Sequence, residues 1–433
     1  MTERSSRRQF LAAGAAAGCG FWLGSSLAPL RAASPNEKLN VAFIGIGGQG
    51  RANLSGIARP DVNVVALCDV DDQRAGKAYE QFPGARKYDD FRRMFDELES
   101  KIDAVVVSTP DHTHFHPSLM AIQMGKHLYC EKPLAHSVGE VRKLTEAARQ
   151  KKVATQLGVQ RHTLGAVHRA VELIQAGAIG TVRECHAWVG GDRGMPEIPR
   201  DTPPVPAHLN WDLWLGPAQP RPYHPTYAPY GWRFWWDFGT GEMGNWGCHI
   251  LDIAYWALGL TQPTRVDASG PPPHPQTTPK AMATRFAFPA VGDRPAVELH
   301  WYHAKNGPPI LSEHKLPHAG FNTLFVGSDG MLLCGFDRFR LLPEEKFRDS
   351  SMPAQTIPNS PGFHREWINA CRGGAPATCN FQYSGPLTET VLLGNVAYRA
   401  GGGFNWDAAQ LKAEGNPEAE QYIQPVFRDG WDV

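Results

Sequence analysis

A chain of 433 residues, 42% hydrophobic and 20% charged, has an ordinary globular composition and is long enough for two domains with cores of their own. Its 43 basic and 43 acidic residues balance, but Arg4, Arg7, Arg8 and Arg31 against Glu3 leave everything past residue 33 net negative, which excludes nucleic acid as a partner. Eight cysteines fall at no metal-binding spacing and read as small buried hydrophobes; only Cys371 and Cys379 are close enough in sequence to suggest a disulfide.

Residues 1–33 read as a twin-arginine signal peptide. Ser6-Arg7-Arg8-Gln9-Phe10-Leu11 supplies the basic region, and an apolar run to about Leu30 follows, too broken by Gly and Ser to span a membrane. Cleavage is expected near Ala33, with an uncleaved anchor as the alternative. The expectation is a periplasmic protein that folds before export. Outside the cytoplasm no pool of free dinucleotide exists, so a redox cofactor there has to be recycled in place or serve a reaction with no net redox change.

Residues 34–160 alternate apolar runs with amphipathic stretches, the rhythm of a parallel α/β sheet. Strands are expected at 40–44, 62–68, 104–108, 127–130 and 153–159. Ser137 and Glu140 form a capping-box signature before the helix that follows Pro133. Directly after the first strand comes Gly45-Ile46-Gly47-Gly48-Gln49-Gly50, and Asp69 closes the second strand. That is the full context of a dinucleotide fingerprint. Gly45 makes the turn, Gly47 and Gly48 let the backbone approach the pyrophosphate, Gln49 opens the helix, and Gly50 lets it pack on the sheet. Asp69 accepts from the ribose hydroxyls and repels a 2′-phosphate, which favours NAD over NADP. Arg74 reads as a solvated helix charge.

Three further motifs follow: Ser108-Thr109-Pro110-Asp111-His112-Thr113-His114, Tyr129-Cys130-Glu131-Lys132-Pro133, and Gly244-Asn245-Trp246-Gly247-Cys248-His249-Ile250-Leu251-Asp252. Together with the glycine loop they resemble the Gfo/Idh/MocA family of glucose–fructose oxidoreductase, inositol dehydrogenase and MocA. The resemblance covers residues 38 to 430. It implies an N-terminal Rossmann domain followed by an α/β domain with a large, mostly antiparallel open sheet, here residues 161–433, which binds substrate and forms a homo-oligomer interface. Independently, the sequence past Arg161 has strand-like runs at 182–189, 281–288, 296–303 and 322–326 and a helical pattern over 241–258.

By the same resemblance, Lys132 contacts the reacting hydroxyl and His249 is the acid/base. Thr109, Pro110, His112, His114 and Glu131 border the cofactor, with Glu131 orienting Lys132. Asn245 stands where the family usually has Asp, and helical spacing is expected to bring Asn245, His249 and Asp252 to one cleft. Arg161 and Trp235 complete the substrate set. Trp235 belongs to an aromatic-rich insert, residues 196–238, whose flat faces suit sugar rings and whose Arg233 and Asp237 offer hydroxyl contacts. His112, His114 and His116 alternate, but with no carboxylate or cysteine partner no metal is expected. The functional expectation is an NAD-dependent sugar oxidoreductase. Alternatives are a redox-neutral NAD-dependent glycoside hydrolase using the same residues and a non-catalytic cofactor-bound sugar-binding protein.

Overall fold

The computed structural model describes residues 38–303 and 307–432. The twin-arginine segment and its cleavage site lie outside the described residues. The first sheet holds six parallel strands: β1 (Leu39–Ile44), β2 (Val62–Cys68), β3 (Arg86–Tyr88), β4 (Ala104–Val107), β5 (His127–Cys130) and β6 (Thr155–Leu157), in the order β3-β2-β1-β4-β5-β6. Covered on both faces, its central strands are continuously apolar, and every residue of Ala104-Val105-Val106-Val107 is buried. The short strand β3, Arg86-Lys87-Tyr88, carries no such signature and is legible only once it pairs with β2.

The Val138–Lys151 helix starts at the capping box read from the sequence. The Glu140 amide donates to Ser137 Oγ at 3.3 Å and the Ser137 amide donates to Glu140 Oε2 at 2.7 Å.

The second sheet has nine strands: β7 (Val182–Val189), β8 (Arg265–Ser269), β9 (Met282–Phe288), β10 (Val297–His303), β11 (Thr323–Gly327), β12 (Met331–Cys334), β13 (Phe339–Leu342), β14 (Phe404–Asp407) and β15 (Lys412–Glu414). Their order is β13-β12-β11-β7-β10-β9-β8-β14-β15. Every pairing is antiparallel except β7 with β10. In β9 and β10 buried and half-buried residues alternate strictly, as expected where only one face meets the core. That face is covered by the Gly241–Leu258 helix over β7, β10 and β11 and by the long Phe381–Arg399 helix over β8 and β9, and the two helices pack on each other. The Phe381–Arg399 helix touches the Val138–Lys151 helix as well, and so joins the two halves of the chain. All seven cysteines among the described residues are buried free thiols, Cys371 and Cys379 included.

The aromatic insert folds back onto the first sheet rather than standing alone. The Asn210 amide donates to the Val70 carbonyl at 2.8 Å and the Asp72 amide to the His208 carbonyl at 3.0 Å. Trp211 and Trp214 stack at 4.6 Å between ring centres, and Tyr227 packs edge-on to Trp235 at 4.8 Å. No helix among the described residues is long and apolar enough to cross a membrane.

Candidate active site

The glycine loop leaves β1 at Gly45, whose φ of 76° is open to glycine and strained for other residues. A Cβ there would lie 2.8 Å from the Ser108 backbone, and a Cβ on Gly50 would lie 1.9 Å from the Gly45 carbonyl oxygen. The first turn of the Gln49–Ile57 helix therefore sits directly on the loop, and Gly47, Gly48 and Gln49 line the cleft at the helix N-terminus, where a pyrophosphate would be held. Asp69 closes the loop from the side: Oδ2 accepts from the Ile46 amide at 2.8 Å and Oδ1 from the Asp71 amide at 3.1 Å. Burial raises its pKa and the two amides pull against that rise. Each oxygen keeps a lone pair for a ribose hydroxyl. These features fit a dinucleotide. Arg74 is exposed, as expected of a solvated helix charge, but its side chain lies over Gly47 and Gly48 and lines the cleft beside them.

The cleft has a volume of about 510 Å³ and runs from Asp69, past the glycine loop, Thr109 and Pro110, to Lys132, Asn245, His249 and Arg161. Lys132 stands just past the end of β5, where parallel sheets present ligands. Its Nζ donates to the Asn245 carbonyl at 2.8 Å and to Asn245 Oδ1 at 3.3 Å. Burial lowers its pKa, while Glu131 and Asp111 favour the charge. Glu131 is buried beneath it: Oε1 accepts from Gln160 Nε2 at 2.7 Å and Asn53 Nδ2 at 3.0 Å. A Cβ on Gly158 would meet this carboxylate at 2.5 Å, so Gly158 makes the room it occupies.

His249 lies one turn beyond Asn245 on the Gly241–Leu258 helix and is buried. Neither ring nitrogen has a hydrogen-bond partner among the described residues, and only Nδ1 is sealed from solvent, which leaves Nε2 open to the cleft. Burial, then the Lys132 and Arg161 charges, push its pKa well below the ordinary imidazole value. The ring is thus neutral in the free site, with Nε2 available as an acceptor but protonation disfavoured by the two neighbouring charges.

Asn245 does not serve His249. Its amide oxygen accepts from Lys132, and its Nδ2 donates to Glu242 Oε2 at 3.3 Å. Glu242 is fully buried and paired with Arg193, whose Nη1 donates to Tyr230 Oη at 2.6 Å. A continuous chain Arg193–Glu242–Asn245–Lys132 results. The sequence reading missed Glu242, although its position three residues before Asn245 on a helix was a usable signal.

Several expected site residues lie elsewhere. His112 is buried, with ring nitrogens 3.2 Å and 3.0 Å from the Phe238 and Trp214 carbonyls. His114 is buried with both nitrogens 2.8 Å from carbonyls, those of Pro133 and Thr109. Neither borders the cleft; His114 instead ties the Thr109 and Pro133 loops together. His116 Nε2 meets the Trp431 carbonyl at 2.7 Å, so the three alternating histidines do not converge. Trp235 is entirely buried against Tyr227, and the aromatic rings on the cleft are Phe91, Trp214, Tyr230, Trp232, Trp246 and Trp431. Of the insert's expected polar contacts, Arg233 lines the cleft, whereas Asp237 pairs with Arg221 at 2.8 Å. Asp252 also misses the cleft. Seven residues at 1.5 Å carry it roughly 10 Å along the helix from Asn245, to where its carboxylate accepts from His162 Nδ1 at 2.8 Å and Tyr383 Oη at 2.6 Å.

Residues 39–159 match the oxidoreductase family, NAD-binding Rossmann fold, and residues 183–288 match the C-terminal alpha/beta domain of the same family. Together these matches take in more than half of the chain. It belongs to the Gfo/Idh/MocA family. Among curated members it is similar to the levoglucosan dehydrogenase of Pseudarthrobacter phenanthrenivorans, 26% identical over 233 residues, 52% of each chain. It is also similar to the inositol 2-dehydrogenase of Rubrobacter xylanophilus, 33% identical over 158 residues, 35% of this chain and 44% of that one. The chain spans about half the length of these curated relatives. The aldose–aldose oxidoreductase of Caulobacter crescentus shares the fold, with a TM-score of 0.57 at 16% identity, over 85% of this chain and all of that one.

Proposed function

We propose that this Gfo/Idh/MocA protein is an exported NAD-dependent oxidoreductase that acts on a hydroxyl of a sugar or sugar derivative and recycles a tightly held cofactor in place. The observation that carries this reading is one continuous cleft joining the glycine loop and Asp69 to Lys132 Nζ and His249. The names of its relatives, dehydrogenases of levoglucosan and inositol, support a polyhydroxylated substrate. Export rests on the twin-arginine sequence, and the homo-oligomer on the broad second sheet.

In this mechanism the bound dinucleotide supplies the hydride acceptor. Lys132, held by Asn245, donates to the reacting oxygen and stabilises its developing negative charge. Neutral His249 accepts the hydroxyl proton through Nε2. The carbinol C–H bond breaks with loss of a hydride, the carbon becomes a ketone, and one proton remains on the imidazole. In the reverse direction, on a keto-sugar, His249 would return its proton to the oxygen that Lys132 holds.

Mass spectrometry of the denatured purified protein, followed by nicotinamide absorbance on adding sugars, tests the proposal. Bound NAD and its reduction by a sugar are expected. Release of an aglycone with no accumulated reduced nicotinamide would instead establish the redox-neutral hydrolase, and absence of NAD would remove both readings.

A further inference from the structure

Arg161 is the unusual cation of the cleft. It follows β6 on the short helical turn Gln160–Thr163 and stands beside His249 and Trp246. Its guanidinium lies over the Phe336 ring at 4.2 Å and the Trp246 ring at 5.3 Å, and it donates no hydrogen bond among the described residues. No carboxylate lies within 4.0 Å of it among them. Its guanidinium is half-buried on the cleft wall, held between two rings with its donors turned to no protein acceptor and free for a ligand.

The anionic pyrophosphate of the cofactor is the wrong ligand. The glycine loop follows β1, and β6 lies three strands away in the sheet, roughly 14 Å at the usual strand spacing. The pyrophosphate end already has Arg74 and the helix amides. Arg161 faces the reacting end, where Arg233 also lines the cleft, with no carboxylate in ion-pair range among the described residues and its Nη1 donating to the Tyr230 carbonyl at 3.1 Å.

We infer that the substrate is an acidic sugar, a uronate or comparable sugar carboxylate, whose carboxylate is bound by Arg161 while Lys132 and His249 act on a ring hydroxyl. The planar fork of a guanidinium matches a carboxylate bidentately, and the two rings fix the plane in which it is offered. The arrangement also resolves a conflict in the free site. Arg161 disfavours a proton on His249, which must take one during turnover; a substrate carboxylate neutralises that charge as it binds.

The inference rests on the sugar-oxidoreductase reading, and the test separates the two. NAD-loaded protein is titrated calorimetrically with matched pairs, D-glucose against D-glucuronate, D-galactose against D-galacturonate and D-mannose against D-mannuronate, and nicotinamide absorbance is followed with each. At least one uronate is expected to bind about tenfold to a hundredfold tighter than its neutral partner, the scale of a charge-assisted bidentate contact. That preference weakens as salt rises. In Arg161→Met the ratio collapses towards one, and Arg161→Lys lies between. Equal or tighter binding of every neutral member, no binding of any uronate, or a ratio unchanged in Arg161→Met overturns the inference. Should the Met variant not fold, the Lys variant and the salt dependence of the parent decide it. A uronate that binds through Arg161 without reducing the cofactor leaves this inference standing and defeats the oxidoreductase reading; reduction by neutral sugars alone does the reverse.

Discussion

Exchanging the charges of Glu242 and Asn245 tests the polar chain behind Lys132. In the native site the amide at 245 is 3.3 Å from Lys132 Nζ on one side and 3.3 Å from Glu242 Oε2 on the other. Asn245→Asp places a carboxylate between those two charges. At an effective dielectric of about 20, each interaction at that separation amounts to about 5 kcal/mol, one attractive and one repulsive. The new charge therefore gains nothing net, and the lost N–H leaves two carboxylates face to face.

Such a pair holds one proton into the neutral range. The expected result is kcat/KM near the parent's at acid pH, where the shared proton restores a donor between the two groups. As pH rises and that proton leaves, kcat/KM falls by about tenfold to a hundredfold, the effect of about 1.4–2.8 kcal/mol in the transition state. Glu242→Gln alone removes the partner of Arg193 and also loses activity. The double variant Glu242→Gln with Asn245→Asp again has one negative charge, now in direct contact with Lys132. It recovers to within about tenfold of the parent, with its alkaline limb moved to higher pH because the ammonium keeps its proton longer. Steady-state pH–rate profiles of all four proteins provide the assay. A double variant no better than either single one, or an Asn245→Asp profile superimposable on the parent's, refutes the reasoning.

Lys132→Met should leave the cofactor bound while turnover drops about a hundredfold or more, because the ammonium meets the reacting oxygen and not the pyrophosphate; near-full activity would remove it from the mechanism. Asp69→Ala should narrow the preference for NAD over NADP in binding titrations, since the residue's charge and its grip on Ile46 are both lost, and an unchanged preference would show that selection occurs elsewhere. Gly50→Ala has to push a methyl group into the Gly45 carbonyl 1.9 Å away. Purified protein of that variant should lack NAD and melt at lower temperature, and a full complement of cofactor would mean that the helix can shift without harm to the site.

The first domain was the most legible part of the chain because its signals are local. A buried parallel strand is apolar along its length, the glycine loop follows such a strand at once, and the capping box occupies four residues; each was recovered where expected. Lys132, Asn245 and His249 were likewise legible through short motifs, and the structure brings all three to one cleft. What failed were statements about direction. His112 and His114 sit in the correct loop, but their rings turn to carbonyls inside the protein, and Trp235 belongs to the correct insert while filling its core.

The sequence by itself determined the family, the dinucleotide loop, Asp69 and the residues at the reacting end, because chain-local geometry dictates those features. Only the tertiary structure decided that Asn245 answers to Lys132 and Glu242 rather than to His249, that Asp252 serves His162, and that Arg161, expected in the substrate set, is held there between two rings with its donors free. A partner contributed from a distant stretch leaves no periodicity or spacing at either end of the contact. The Arg161 ring contact with Phe336 joins segments 175 residues apart, and folding alone brings them together.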